Sequence, residues 1–105
     1  MSTTGLEPFR ARIDDIDRQI TTLLADRLQV CAEVAAYKRQ HAIPMMQPDR
    51  VEAVKDRCAA LGASKGLRAE FVRELYGRII DEACRLEDEI IGAGDGVSSN
   101  DRANM

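Results

Sequence analysis

Aromatic residues are scarce in this sequence: two phenylalanines, two tyrosines and no tryptophan, 4% of the chain. A core must then be assembled from Leu, Ile, Val and Ala, which points to helix packing. Proline occurs only at Pro8, Pro44 and Pro48. The three cysteines, Cys31, Cys58 and Cys84, are odd in number, far apart and without a CxxC pair. That argues against a disulfide framework or a metal site and reads as a reduced, cytoplasmic protein with free thiols. Neither sign of charge dominates: 15 basic against 18 acidic residues leave a net charge of -3, with no bulk attraction for nucleic acid or anionic lipid. No apolar run approaches the ~18 residues of a membrane span. The opening "MSTTGLEPFR" lacks a charged region followed by an apolar core, so it does not read as a signal peptide. No strand pattern is present.

What the sequence does have is helical periodicity. Hydrophobic residues make up 45% and charged residues 31% of its 105 positions, as in a single globular domain. Residues 1–5 read as a short flexible lead. From Pro8, which suits a first helical turn, apolar residues fall at Phe9, Ile13, Ile16, Ile20, Leu23, Leu24, Val30, Cys31 and Val34 in steps of three and four. The pattern predicts a helix of about 33 residues, ~50 Å long, ending near His41. Pro44 stops it, since the residue before a proline is biased out of helix, and "AIPMMQP" is a loop. A second helix starts near Pro48 or Asp49, with Val51, Val54, Cys58 and Leu61 as its stripe and Gly62 as its C-terminal cap. A third runs from about Arg68 to Ile91 with Phe71, Val72, Leu75, Ile79, Ile80, Ala83, Leu86 and Ile90 inward. Gly77 inside it marks either a close backbone approach or a tolerated glycine. Residues 6–91 thus form an all-α domain, and 92–105, rich in Gly, Ser and Asn, a disordered tail. A ~50 Å helix is longer than a 100-residue globule, whose radius of gyration is about 13 Å. Two shorter helices cannot cover its stripe, so an intertwined homodimer is expected.

Two cations sit on the face of the first helix that should be buried. Arg27 and Lys38 are eleven residues apart, three turns plus roughly 20°, so they lie nearly on one line about 16 Å apart. One reading is snorkelling, with aliphatic stems on the core and charged heads in water. The other is an anion site between helices, because a buried cation is costly unless paired. Arg10 is rotated by about 100° from that line and is placed to reach a partner's site. Arg12, Arg18 and Arg39 read as a solvated face, Arg50 taken alone as a surface residue, and His41 as a surface residue at a helix end. In the third helix Glu87 aligns with Tyr76, Ile80, Ala83 and Ile90, so it is the acid on an apolar face; Asp88 and Glu89 should be solvated. An internal salt bridge of Glu87 with Arg27 or Lys38 would satisfy both charges.

"FRARIDDIDRQITTLLADR", "EVAAYK", "IPMMQPDR" and "LYGRIIDEACRLEDEI" resemble the all-helical chorismate mutase family across residues 6 to about 91. The ordered set Arg–(16 residues)–Arg–(10 residues)–Lys–(11 residues)–Arg carries the likeness. The resemblance implies an intertwined homodimer with two shared sites and no cofactor or metal. By position it implies that Arg27, with Arg10 from the other chain, binds the carboxylates of a small dicarboxylate substrate. Lys38 would reach one carboxylate and the ether oxygen, Arg50 would help at the carboxylate end, and Glu87, at a position usually Gln, would donate to the ether oxygen. Such a [3,3] rearrangement needs the side chain held over the ring and donors aimed at the oxygen that gains charge. Arginine grips carboxylates with two parallel bonds. Glu87 must be protonated to donate; burial favours that form and Lys38 opposes it.

Three departures bear on the substrate. Where housekeeping chorismate mutases usually carry Asp and, four residues on, Glu, this chain has Gln47 and Val51, and Ala83 replaces a usual Ser. The pocket end near the ring substituent is therefore uncharged. "IPMMQPDRVEAV" and "IIDEACRLEDEIIG" resemble the 4-amino-4-deoxychorismate mutases, which feed antibiotic-type metabolism and form 4-amino-4-deoxyprephenate. A carboxylate beside an ammonium would bind ground and transition states alike and speed nothing. Chorismate mutase itself, isochorismate-pyruvate lyase and a non-catalytic helical dimer module are the alternatives.

Overall fold

The computed structural model describes residues 5–44 and 48–95. Among them there is no strand. Helix α1 spans Glu7–His41, α2 Pro48–Ser64 and α3 Ala69–Asp95. The chain divides into two units with the boundary between Val30 and Cys31.

In the first unit the described residues are the turn at Gly5 and Leu6 and α1 as far as Val30. Glu7 in the first turn suits the positive end of the helix dipole. Phe9, Ile13, Ile16, Ile20 and Leu23 recur at helical spacing, and each is at least 50% exposed. Of residues 5–30 only Arg27 and Leu28 are half-buried. This unit has an apolar stripe and no core of its own.

The second unit holds the end of α1 with α2 and α3. Its buried hydrophobic side chains are those of Ala35, Val54, Ala59, Val72 and Ala83, small enough to let helices approach closely. Helices α2 and α3 run antiparallel: Gly62 meets Val72, Lys55 lies beside Gly77, and Arg73 bonds Glu52 and Asp56. Gly62, expected as a cap, lies inside α2. A Cβ there would stand 2.7 Å from Val72 Cγ2, so this position needs the absence of a side chain. The cap is Gly66, at φ +90. Leu67 N–H donates to Gly62 O at 2.9 Å and Gly66 N–H to Ala63 O at 3.2 Å, a Schellman closure. Helix α1 closes in the same way with Ile43 N–H on Lys38 O at 2.9 Å, but here Ala42 takes the left-handed conformation, φ 55.

In α2 and α3 three residues expected to face inward are open: Leu61, Phe71 and Leu75 are 57%, 46% and 44% exposed. The third helix passes its expected end at Ile91 and runs to Asp95, with Gly92 buried; packing there overrides weak propensity. The remainder of the expected tail, residues 96–105, and most of the expected lead, residues 1–4, lie outside the described residues.

Candidate active site

Lys38 occupies the last turn of α1, where a cation complements the helix dipole. Its stripe turns it toward α3, and its Nζ stands 3.3 Å from Glu87 Oε1. The two side chains are only 16% and 11% exposed. Glu87 is the buried charged residue among those described. Two charges withdrawn from water need each other, since removing one partner strands the other at a cost of about 3–5 kcal/mol. The cation that the periodicity places on the buried face is therefore satisfied by the acid that the periodicity places on the facing one, rather than by snorkelling.

Cys84 lies within the field of the same pair. Burial pushes its thiol up first; Glu87 and Asp81 push it further, and Lys38 opposes them. Cys31, from α1, acts on it in the same upward direction. The thiol is thus held protonated at neutral pH. An ammonium and a carboxyl group side by side in a nearly dry setting can receive a carboxylate and present a donor to a neighbouring oxygen.

The other expected residues are distributed as follows. Arg10 is exposed and Arg27 half-buried, both in the first unit. In the second unit Ala83 is buried, Val51 half-buried and Arg50 exposed, while Gln47 lies outside the described residues. Lys38 with Glu87 is the pairing that the structure brings together. Arg18 stays on the surface beside Asp15, and His41 is exposed, stacked on Tyr37 with centroids 4.0 Å apart. Asp88 and Glu89, expected in solvent, are half-buried, and Glu89 pairs with Arg85. Arg39 is exposed, as the reading of a solvated face expects, and its Nη1 also donates to the Ile90 carbonyl of α3 at 3.2 Å. No periodicity marks it, because its acceptor is a backbone atom.

A family model described as chorismate mutase type II matches residues 9–88. The chain belongs to the chorismate mutase type II family. The match takes in α2 entirely, most of α1 and α3, and Lys38 and Glu87 with them. A protein of Streptomyces pristinaespiralis named 4-amino-4-deoxychorismate mutase is 42% identical over 93 residues, 89% of this chain and 72% of that one. A protein of the same name from Streptomyces venezuelae is 38% identical over 97 residues, covering 92% of this chain and 93% of that one. The chorismate mutase of Methanocaldococcus jannaschii is 38% identical over 56 residues, 53% of this chain and 57% of its own. No solved structure matches. As a chorismate mutase family member the chain is an enzyme of the isomerase class, and the all-helical fold expected from its sequence is the one it has.

Proposed function

We propose that this chain rearranges 4-amino-4-deoxychorismate to 4-amino-4-deoxyprephenate, as a cytoplasmic homodimer with sites shared between subunits. The observation that carries the substrate is the likeness, along about nine-tenths of the chain, to two proteins named for that reaction. Val51 supports it, since an apolar side chain replaces an acid at the ring-substituent end. The exposed stripe from Phe9 to Leu23 supports the dimer, because each such side chain gains about 1.5–3 kcal/mol when fully buried. The odd number and wide spacing of the cysteines support a reducing compartment. Residues 6–91 make up the catalytic domain in this reading, and α3 carries it on to Asp95.

In this reading Arg27 and the partner subunit's Arg10 hold the two carboxylates, with Arg50 assisting. Lys38 leaves Glu87 for a substrate carboxylate and the ether oxygen, and Glu87, protonated, donates to that oxygen as the C–O bond breaks. Gln47, Val51 and Ala83 line the end that takes the amino group. The reaction stays within one substrate molecule, so the protein's part is positioning and charge stabilisation.

The test is turnover of the amino and hydroxy substrates side by side, each product identified by mass. The amino compound is expected to be preferred; equal or better turnover of chorismate overturns the substrate. Arg27→Ala is expected to abolish nearly all activity, because truncation leaves a substrate carboxylate unpaired. A variant with wild-type turnover would remove Arg27 from the site.

A further inference from the structure

We propose that Arg39 is a positioning residue for this reaction: its bond to the Ile90 carbonyl fixes how the end of α1 lies on α3, and so where Lys38 stands against Glu87. The proposal rests on the reading of Lys38 and Glu87 as site residues.

Lys38 and Arg39 are consecutive, and their side chains leave α1 about 100° apart. Their acceptors, Glu87 Oε1 at 3.3 Å and Ile90 O at 3.2 Å, are three residues apart on α3, a rise of about 4.5 Å. One contact between two helices leaves a pivot. Two contacts from adjacent residues to successive turns fix the rotation as well as the distance.

The place where they act needs such a fix. In the α2–α3 register Lys55 lies beside Gly77. Following both helices from there, the first residue of α2, Pro48, falls opposite about residue 84. Glu87 and Ile90 are therefore beyond the start of α2. The α1 segment above them ends within three residues, at His41, where helix carbonyls and side chains lose intrahelical support. The Lys38 ammonium sits on a flexible four-carbon stem, whereas the Arg39 guanidinium is a planar fork with several donors. A helix carbonyl keeps a second lone pair for such a donor. Rigid fork and flexible ammonium thus divide the work, the first aligning the helices and the second reaching the reacting group.

The test compares Arg39→Ala and Arg39→Lys with the active wild-type dimer, well below the melting temperature of each. Arg39→Ala is expected to lower kcat/KM for the amino substrate on the order of tenfold, inside the ~100-fold that a 1 Å misplacement can cost. Arg39→Lys, which keeps a donor but on a flexible stem, recovers only part of the loss. In a Lys38→Ala background, followed at high enzyme concentration, Arg39→Ala has no further effect, because Arg39 acts through Lys38. Amide hydrogen exchange is expected to quicken over residues 87–95 in Arg39→Ala and to stay unchanged at the α2–α3 turn. A lowered melting temperature with unchanged kcat/KM overturns the proposal, as does an equal loss with and without Lys38. Failure of the proposed function is read separately, in a wild-type enzyme that turns over neither substrate.

Discussion

A carboxyl group donates a hydrogen bond only while it holds its proton, whereas a salt bridge uses the same group as an acceptor. Glu87 is in the second condition beside Lys38 and needs the first at the ether oxygen. Binding a dicarboxylate resolves the conflict by drawing Lys38 away. The expected consequence is a kcat that is lower at high pH than at low pH, since a carboxylate can only accept. Glu87→Gln, which donates at every pH, is expected to give a flatter profile, measured between about pH 5 and 9. A flat wild-type profile would remove Glu87 from this role. Lys38 and Glu87 were legible because each charge interrupts an apolar stripe. Arg39 was not, because its partner is a carbonyl on another helix. Ala42 was equally silent, since nothing in an alanine announces that it will close a helix in the left-handed region.

Two glycines, one in each helix of the α2–α3 pair, look alike in the sequence and differ in the fold. Gly62 sits against Val72, whose side chain is buried and β-branched, so an added methyl has nowhere to go. Gly77 would meet only the flexible end of Lys55, 3.8 Å away. Gly62→Ala is expected to destabilise by about 1–3 kcal/mol through overpacking. Gly77→Ala is expected to stabilise by roughly 0.5–1 kcal/mol by restricting the unfolded chain. Denaturant midpoints of the two variants beside the wild type check both signs, and a stabilised Gly62→Ala would mean the helices can part. Helix number, order and most boundaries were legible because Pro44 and Pro48 punctuate the chain and the apolar period is strong. The cap moved from Gly62 to Gly66, and α3 gained a turn at its end, because those outcomes depend on which helix faces which glycine. The same dependence left Leu61, Phe71 and Leu75 outside the core of a single chain.

For the whole molecule the open matter is the face from Phe9 to Leu23. Its length against two short helices made a second chain the expected cover, and the described residues of that unit offer no other. Sedimentation is expected to find a dimer at micromolar concentration. Replacing Ile16 and Ile20 together by Lys is expected to yield monomers that have lost both α1 helicity and turnover, since Arg10 and Arg27 then act in separate molecules. Monomers with full activity would refute the shared site. The family was legible from four cations in fixed order, and the substrate through what is missing at Gln47, Val51 and Ala83 and the likeness of the segments around them.

In the proposed dimer, a stripe covered by another copy ties folding to abundance. In a two-chain equilibrium each tenfold dilution removes about 1.4 kcal/mol from the assembled form. The melting temperature of such a dimer then rises with its concentration, so a scarce enzyme is also a less stable one.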